Sequence, residues 1–269
     1  IEYEAYTLKL MEGSGRTPKV LYADGSKKIL EHGVLVMEYL PGHAMDYHTE
    51  LMLAAPCLAD IHSVPIPESE EILIHPQNPL KAILEECEEM FKVYLESPLG
   101  DGEKKTYIRE LLDLGWKREA EIQLESGYQC CINTELNSTN LLINEEGKSN
   151  YLIDWEKPLF GNPAQDLGHF LAPTTTFWKT DVILTSEEIE KFIDAYIKAV
   201  GNRFKTDMIR EHTHAFIPIT CLRGITWCAM AWVQYQQPDK LIFNESTFKK
   251  LNAYLDMDFL KNIRGYLEP

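Results

Sequence analysis

"CINTELNSTNLLI", residues 131–143, sets seven polar residues between two apolar runs, and "YLIDWE" follows at 151–156. Around it, "QCCI", "LLIN" and "NYLID" have the short, β-rich character of strands, with "EEGK" turning the second into the third. A tight loop therefore carries Glu135 and Asn140, and Asp154 ends the next strand beside them. Mg²⁺ favours oxygen donors and commonly takes one or two from protein while phosphate and water complete its shell. Asn140 and Asp154 are candidates for that pair, leaving Glu135 to accept a proton. The competing reading is a set of Asn, Ser and Thr residues that satisfy their own backbone in turns.

Working outward, the rest of the chain is mostly helical. Residues 1–12 read as a helix, and "PKVLYA" (18–23) and "GVLVMEYL" (33–40) as strands joined through "DGSK", with "PG" at 41–42 stopping the second. "HTELMLAAPCLADIHSV" (48–64) has helical spacing, with Pro56 kinking or dividing it. Amphipathic helices are expected over 79–97 and 102–126. Thr185 and Glu188 form a capping box ahead of "IEKFIDAYIKAV", Gly201 is a stop, and helices over 206–236 and 245–266 close the chain. The fold class is α+β. A partial N-terminal lobe (1–40, a helix plus two strands) meets a helical C-terminal lobe (41–269) across a hinge at about 38–43.

Composition narrows the function. Among 269 residues, 42 acids face 26 Lys and Arg, giving a net charge of −16. That balance disfavours nucleic acid and anionic membrane as partners and favours a small-molecule substrate of cationic character, although acidity also serves solubility. The opening "IEYEAYTLKLMEG" has no apolar core of a signal peptide. "FIPITCLRGITWCAMAWV" (216–233) carries Arg223 and Pro218 and reads as a buried helix rather than a membrane span. Six cysteines without metal-ligand spacing fit reduced thiols in a cytoplasmic protein, and "HTH" at 212–214 lacks the spacing of a helical zinc site.

Five stretches, in order, resemble the aminoglycoside phosphotransferase and choline kinase family, whose members are relatives of the protein kinases. They are "VLVMEYLPG" (34–42), "LADIHSVP" (58–65), "NTELNSTN" (133–140), "LIDWE" (152–156) and "GNPAQDLGHF" (161–170). The resemblance implies a two-lobed, protein-kinase-like fold with an incomplete small lobe, and ATP and Mg²⁺ as cofactors. It implies that Asp154 and Asn140 hold the metal and that Glu135 is the catalytic base. Met37, Glu38 and Leu40 would line the adenine site, and Glu4 would pair a phosphate-binding Lys. Asn133 and Asp166 would support the loop, although Asp166 also suits a helix N-terminus through the dipole.

The same likeness makes Trp155, Glu156, Trp178, Arg223 and Trp227 candidate acceptor contacts, with Trp232 and Tyr235 nearby. Rings beside acids suit a cationic amine. Trp227 and Trp232 also fit a plain core role, and Arg223 either closes a buried ion pair or reads an anionic group.

Two departures stand out. Glu135 replaces the family's Asp, moving the carboxylate by about 1.5 Å, where a misplacement of about 1 Å can cost on the order of 10²-fold in rate. Asn133 replaces its His. The alignment also places residue 1 at the helix after the family's first three strands, so a glycine-rich phosphate cover and the Lys partner of Glu4 would lie upstream. The expected function is ATP-dependent phosphorylation of a hydroxyl on a small molecule such as an amino sugar or amino alcohol. The alternative is a catalytically impaired kinase-like protein that binds nucleotide or ligand as a sensor or partner. The acceptor's identity and the oligomeric state are not encoded in these motifs.

Overall fold

The first helix, α1 (Glu2–Met11), carries Glu2 and Glu4 in its first turn and Lys9 in its last, a charge order that suits the helix dipole. The computed structural model describes residues 1–28, 30–67, 72–122, 124, 127–237 and 243–268. After α1 a short 3₁₀ turn, Glu12–Ser14, closes on Gly15 in the left-handed region. An antiparallel pair follows, β1 (Val20–Asp24) and β2 (Val34–Met37), with a register shift between Val20 and Tyr22. Both strands are shorter than the sequence pattern predicts; the Glu38 N–H still bonds the Lys19 carbonyl, and "YLPG" then leaves the pair.

The linker ends at Gly42, whose φ of +133° favours glycine and whose missing Cβ would stand 2.9 Å from that of Leu142. The chain then adds β3 (His43–Ala44), which pairs with β5 (Leu141–Ile143), itself paired with β6 (Tyr151–Leu152). A further pair joins β4 (Cys130–Ile132) to β7 (Leu159–Gly161). The polar loop is thus the β4–β5 connection, anchored on two small sheets.

Helices make the body. They are α2 (Leu51–His62), α3 (Pro79–Glu96), α4 (Gly102–Glu121), α5 (Pro163–Leu171), α6 (Pro173–Thr180), α7 (Ser186–Val200), α8 (Ile209–Tyr235), α9 (Glu245–Tyr254) and α10 (Met257–Leu267). Asn78 and Asp101 cap α3 and α4 through backbone N–H groups three residues on, and the Thr185–Glu188 capping box forms at α7. Pro56 lies inside α2 without dividing it.

Two helix expectations change. The single helix over 245–266 is two, because the Asp256 side chain accepts the Asp258 N–H and starts α10 afresh while Leu255 is buried at the joint. The helix expected to reach 126 ends at Glu121, and 123, 125 and 126 lie outside the described residues.

The core runs the length of α8, which is long and apolar enough to span a membrane yet is mostly buried against neighbouring helices. Gly168 lets α5 approach it closely, since a Cβ there would lie 2.4 Å from the Phe216 Cβ. Leu8 and Met11 of α1 join this same core.

Candidate active site

The polar loop owes its shape to one buried carboxylate. Asp166, in the first turn of α5, accepts the Asn133 N–H on Oδ2 (2.8 Å) and the Thr134 N–H on Oδ1 (2.7 Å). His62, ending α2, meets the same Oδ2 at 3.2 Å and turns its other ring nitrogen to Tyr196 of α7 (2.8 Å). These bonds hold Thr134 at φ 68°, a backbone state costly for a non-glycine residue. The Thr134 hydroxyl donates to the Lys157 carbonyl (2.8 Å). Asn133 spans the site: its amide donates to the Asp154 carbonyl (2.7 Å) and its oxygen accepts the Glu135 N–H (3.1 Å).

Glu135, Asn140 and Asp154 come together. The Asn140 amide donates to the Glu135 carbonyl (3.1 Å) and lies 3.5 Å from Asp154 Oδ2, and all three residues line one cavity of about 390 Å³. Asp154 also adopts a left-handed φ of 66°, which turns its carboxylate out of the strand path. Burial pushes the Asp154 carboxyl up, and Glu156 and Glu135 push it further. Glu4 is raised in the same direction, by burial first and then by Glu156 and Asp154. Carboxylates crowded this way suit a hard cation. Among the described residues no three His, Cys, Asp or Glu side chains gather as a metal cluster, but a site of one carboxylate and one carboxamide completed by phosphate needs none.

Around Glu135 runs a chain of alternating charge. Lys157 Nζ lies 2.9 Å from Glu135 Oε1, Arg223 Nη2 lies 3.8 Å from the same oxygen, and Arg223 Nε lies 2.9 Å from Glu86 Oε2. Arg223 is therefore ion-paired, but the pair is partly exposed and not buried, and Arg223 also lines the cavity. Trp178 and Trp227 meet edge to face at 5.3 Å and both line the cavity. Trp227, at 41% exposed, is not a core residue.

Other candidates fall elsewhere. Trp155 is wholly buried and donates its indole N–H to Leu152, so it is a core residue and not an acceptor contact. Glu156 lines a neighbouring cavity. Trp232 donates to Asn252 and packs on Tyr94, away from the cavity, and Tyr235 packs on Phe243 and Phe248. Met37, Glu38 and Leu40 lie at the end of β2 and its linker and do not line the cavity. The Glu38 N–H donates to the Lys19 carbonyl (2.8 Å).

Sequence reading assigned no role to His62, Glu86, Lys157 or His169. His62 stood inside the quoted "LADIHSVP", and Lys157 lies three residues beyond Asp154. His169 stood inside the quoted "GNPAQDLGHF", and Glu86 is brought in only by the packing of α3 on α8.

Known proteins give the same picture. The family model for APH, the phosphotransferase enzyme family, matches residues 1–211. No curated protein sequence matches. Among solved structures, a spectinomycin phosphotransferase in complex with ADP and spectinomycin is 16% identical with a TM-score of 0.65, covering 99% of this chain and 82% of that one. The Plasmodium vivax ethanolamine kinase is 16% identical at a TM-score of 0.63, covering 97% and 73%. The choline kinase LicA of Streptococcus pneumoniae is 19% identical at 0.56, covering 94% and 79%. At such identities the likeness establishes the fold, that of the two-lobed α+β kinases.

Proposed function

The chain belongs to the phosphotransferase enzyme family, and we propose that it transfers the γ-phosphoryl group of ATP to a hydroxyl of a small, amine-bearing molecule. The observation that carries this reading is the convergence of Glu135, Asn140 and Asp154 on one cavity beside Trp178 and Trp227. The structural neighbours include a spectinomycin phosphotransferase crystallised with ADP and kinases of ethanolamine and choline.

In this reading an acceptor hydroxyl enters the cavity and meets Glu135. Oε1 of Glu135 is held by Lys157, so Oε2 is the oxygen presented to the hydroxyl. That oxygen takes the proton as the hydroxyl oxygen bonds to the γ-phosphorus and the bond from that phosphorus to the β-phosphate oxygen breaks, releasing ADP. Asp166 and Asn133 fix the loop so that the carboxylate is already in place, which is the main contribution a protein makes to phosphoryl transfer. Asn140 and Asp154 would hold Mg²⁺, which when bound neutralises phosphate charge. The Glu38 carbonyl and Leu40 N–H would bond adenine, with Met37 against the ring. A cationic amine would sit between Trp178, Trp227 and Glu86.

The small lobe is assigned to residues 1–40, with the hinge at 38–43, α1 being the part of it that packs into the core of the helical body. Six free, buried cysteines suit a reducing compartment such as the cytoplasm.

The test is turnover with Mg–ATP across amino sugars, choline-like amines and amino alcohols, measured as phosphorylated product. Rates no higher than those of Asp154→Ala reject the reading. The Lys157 contact on Glu135 favours one rival, a protein that binds nucleotide without turning it over. Mg–ATP at 100 times its Kd would stabilise such a protein by about 2.7 kcal/mol while producing no product.

A further inference from the structure

A second cavity, about 380 Å³, lies against the first. Glu86, Lys157, His169, Thr220 and Arg223 belong to the walls of both. Beyond this shared wall the second cavity is mainly apolar, with Ile74, Pro76, Ala82, Ile83, Pro158 and Leu159 beside the polar Tyr3, Thr134, Glu156 and Gln165. Each cavity alone sits at the small end of ligand sites.

Two features make the shared wall a passage. The Lys157 ammonium rests on Glu135 and its side chain is 62% exposed, so it can swing aside by giving up one solvent-screened ion pair. The His169 ring stands in the same wall, and no described residue hydrogen-bonds either of its nitrogens. Burial first, and Arg223 second, hold it down to about 4, so it is neutral at physiological pH and offers one donor and one acceptor. The ring is half-buried and lines both cavities, so a ligand passing between them would meet it.

We infer that the acceptor is an amphiphilic amino alcohol whose hydroxyl meets Glu135, whose ammonium lies beside Glu86, which lines both cavities, and whose apolar substituent fills the second cavity. The hydroxyl end rests on the phosphotransferase reading above; the apolar end rests on the second cavity alone. Tyr3 and Thr134 already give their hydroxyls to the Pro158 and Lys157 carbonyls, so beside Glu156 and Gln165 a polar substituent would find chiefly Ile, Pro and Leu side chains.

The test is a series of N-alkylethanolamines from methyl to hexyl. Binding is measured by calorimetry and phosphorylation from Mg–ATP is measured in parallel, on the parent protein, Ala82→Trp and Ile74→Lys. Affinity should rise about fourfold per methylene until the cavity is full, the value of taking one CH₂ out of water. The hexyl-to-methyl ratio should fall toward one in both variants. Ile74 is 61% exposed, so its variant keeps the test open if Ala82→Trp fails to fold. A parent ratio near one, or a ratio undiminished in the folded variants, overturns the inference. Chain-length dependence without phosphorylation above Asp154→Ala keeps the second cavity and discards the phosphotransferase reading. Phosphorylation without chain-length dependence does the opposite.

Discussion

Asp166→Asn is the substitution whose cost follows most directly from the geometry. The native carboxylate accepts two backbone N–H groups, one on each oxygen, and faces His62 as well, all out of contact with water. The amide keeps one acceptor oxygen and turns its NH₂ toward the other backbone donor. A charge-assisted bond worth about 1.5–3 kcal/mol is lost, and a buried N–H is left unsatisfied at about 1–3 kcal/mol. The expected loss is about 4 kcal/mol, or roughly 10 °C in Tm at about 2–4 °C per kcal/mol for a chain of this size. The left-handed backbone at Thr134 is then free to relax, and Glu135 moves with it. A shift of about 1 Å should lower kcat on the order of 10²-fold. Thermal unfolding and steady-state turnover on the same preparation read both effects. Asp60→Asn is the control, because its ion pairs with Arg16 and Arg203 are partly exposed and worth at most about 1 kcal/mol. An Asp166→Asn protein within about 1 kcal/mol of its parent would refute the bracing role, and so would full kcat after the loss of stability.

Four further outcomes are expected. Between pH 6.5 and about 4 the unfolded chain takes up a proton that folded His169 refuses; stability should be full above pH 6.5 and fall on acidification, and His169→Gln should flatten that slope by up to one proton in a Tm-against-pH series. Asp154 is raised, so the folded state holds its proton more firmly than the unfolded chain and this group's effect on stability worsens as pH rises through the carboxyl range; Mg²⁺ should raise Tm at pH 7 and do so less in Asp154→Asn. Tyr3→Phe removes the hydroxyl that donates to the Pro158 carbonyl (2.5 Å) and accepts the Ile74 N–H (3.2 Å), and should cost about 1–2 kcal/mol by denaturant titration. Gly168→Ala would press a methyl into Phe216 and the Ile217 backbone and should cost about 1–3 kcal/mol on the same measurement.

Much of the site was legible because its residues lie close in sequence. Glu135, Asn140 and Asp154 fall within twenty positions, on one β-segment whose turns are marked by residue type, and local chemistry sufficed to group them. Asp166 was legible as a loop support through its motif, though not its His62–Tyr196 extension. That chain joins α2, α5 and α7, which only tertiary packing brings together. Trp155 was misplaced because a tryptophan beside a metal-binding Asp has the same local signature whether it turns out or in. The Leu152 carbonyl decided that it turns in. Trp227 went the other way: at helical spacing in an apolar run it resembled core, yet α6 packs so that Trp178 and Trp227 face open space together. The break at Asp256 was readable in principle, since an Asp two residues before another Asp is a cap pattern, but the flanking apolar period masked it.

The attachment of α1 sets how such a cleft can work. Tyr3 pins its start to the helical body, Leu8 and Met11 sink into that body's core, and just beyond its end Arg16 reaches Asp60 while its carbonyl accepts the Leu152 N–H. The acid on that helix is therefore part of the anvil and not of the hammer. Between α1 and the linker, the described segment least embedded in that core is the β1–β2 hairpin, and beyond it Gly42 takes a torsion other residues avoid. Any displacement of the hairpin would therefore leave the floor untouched, and the carboxylates beneath would keep their spacing.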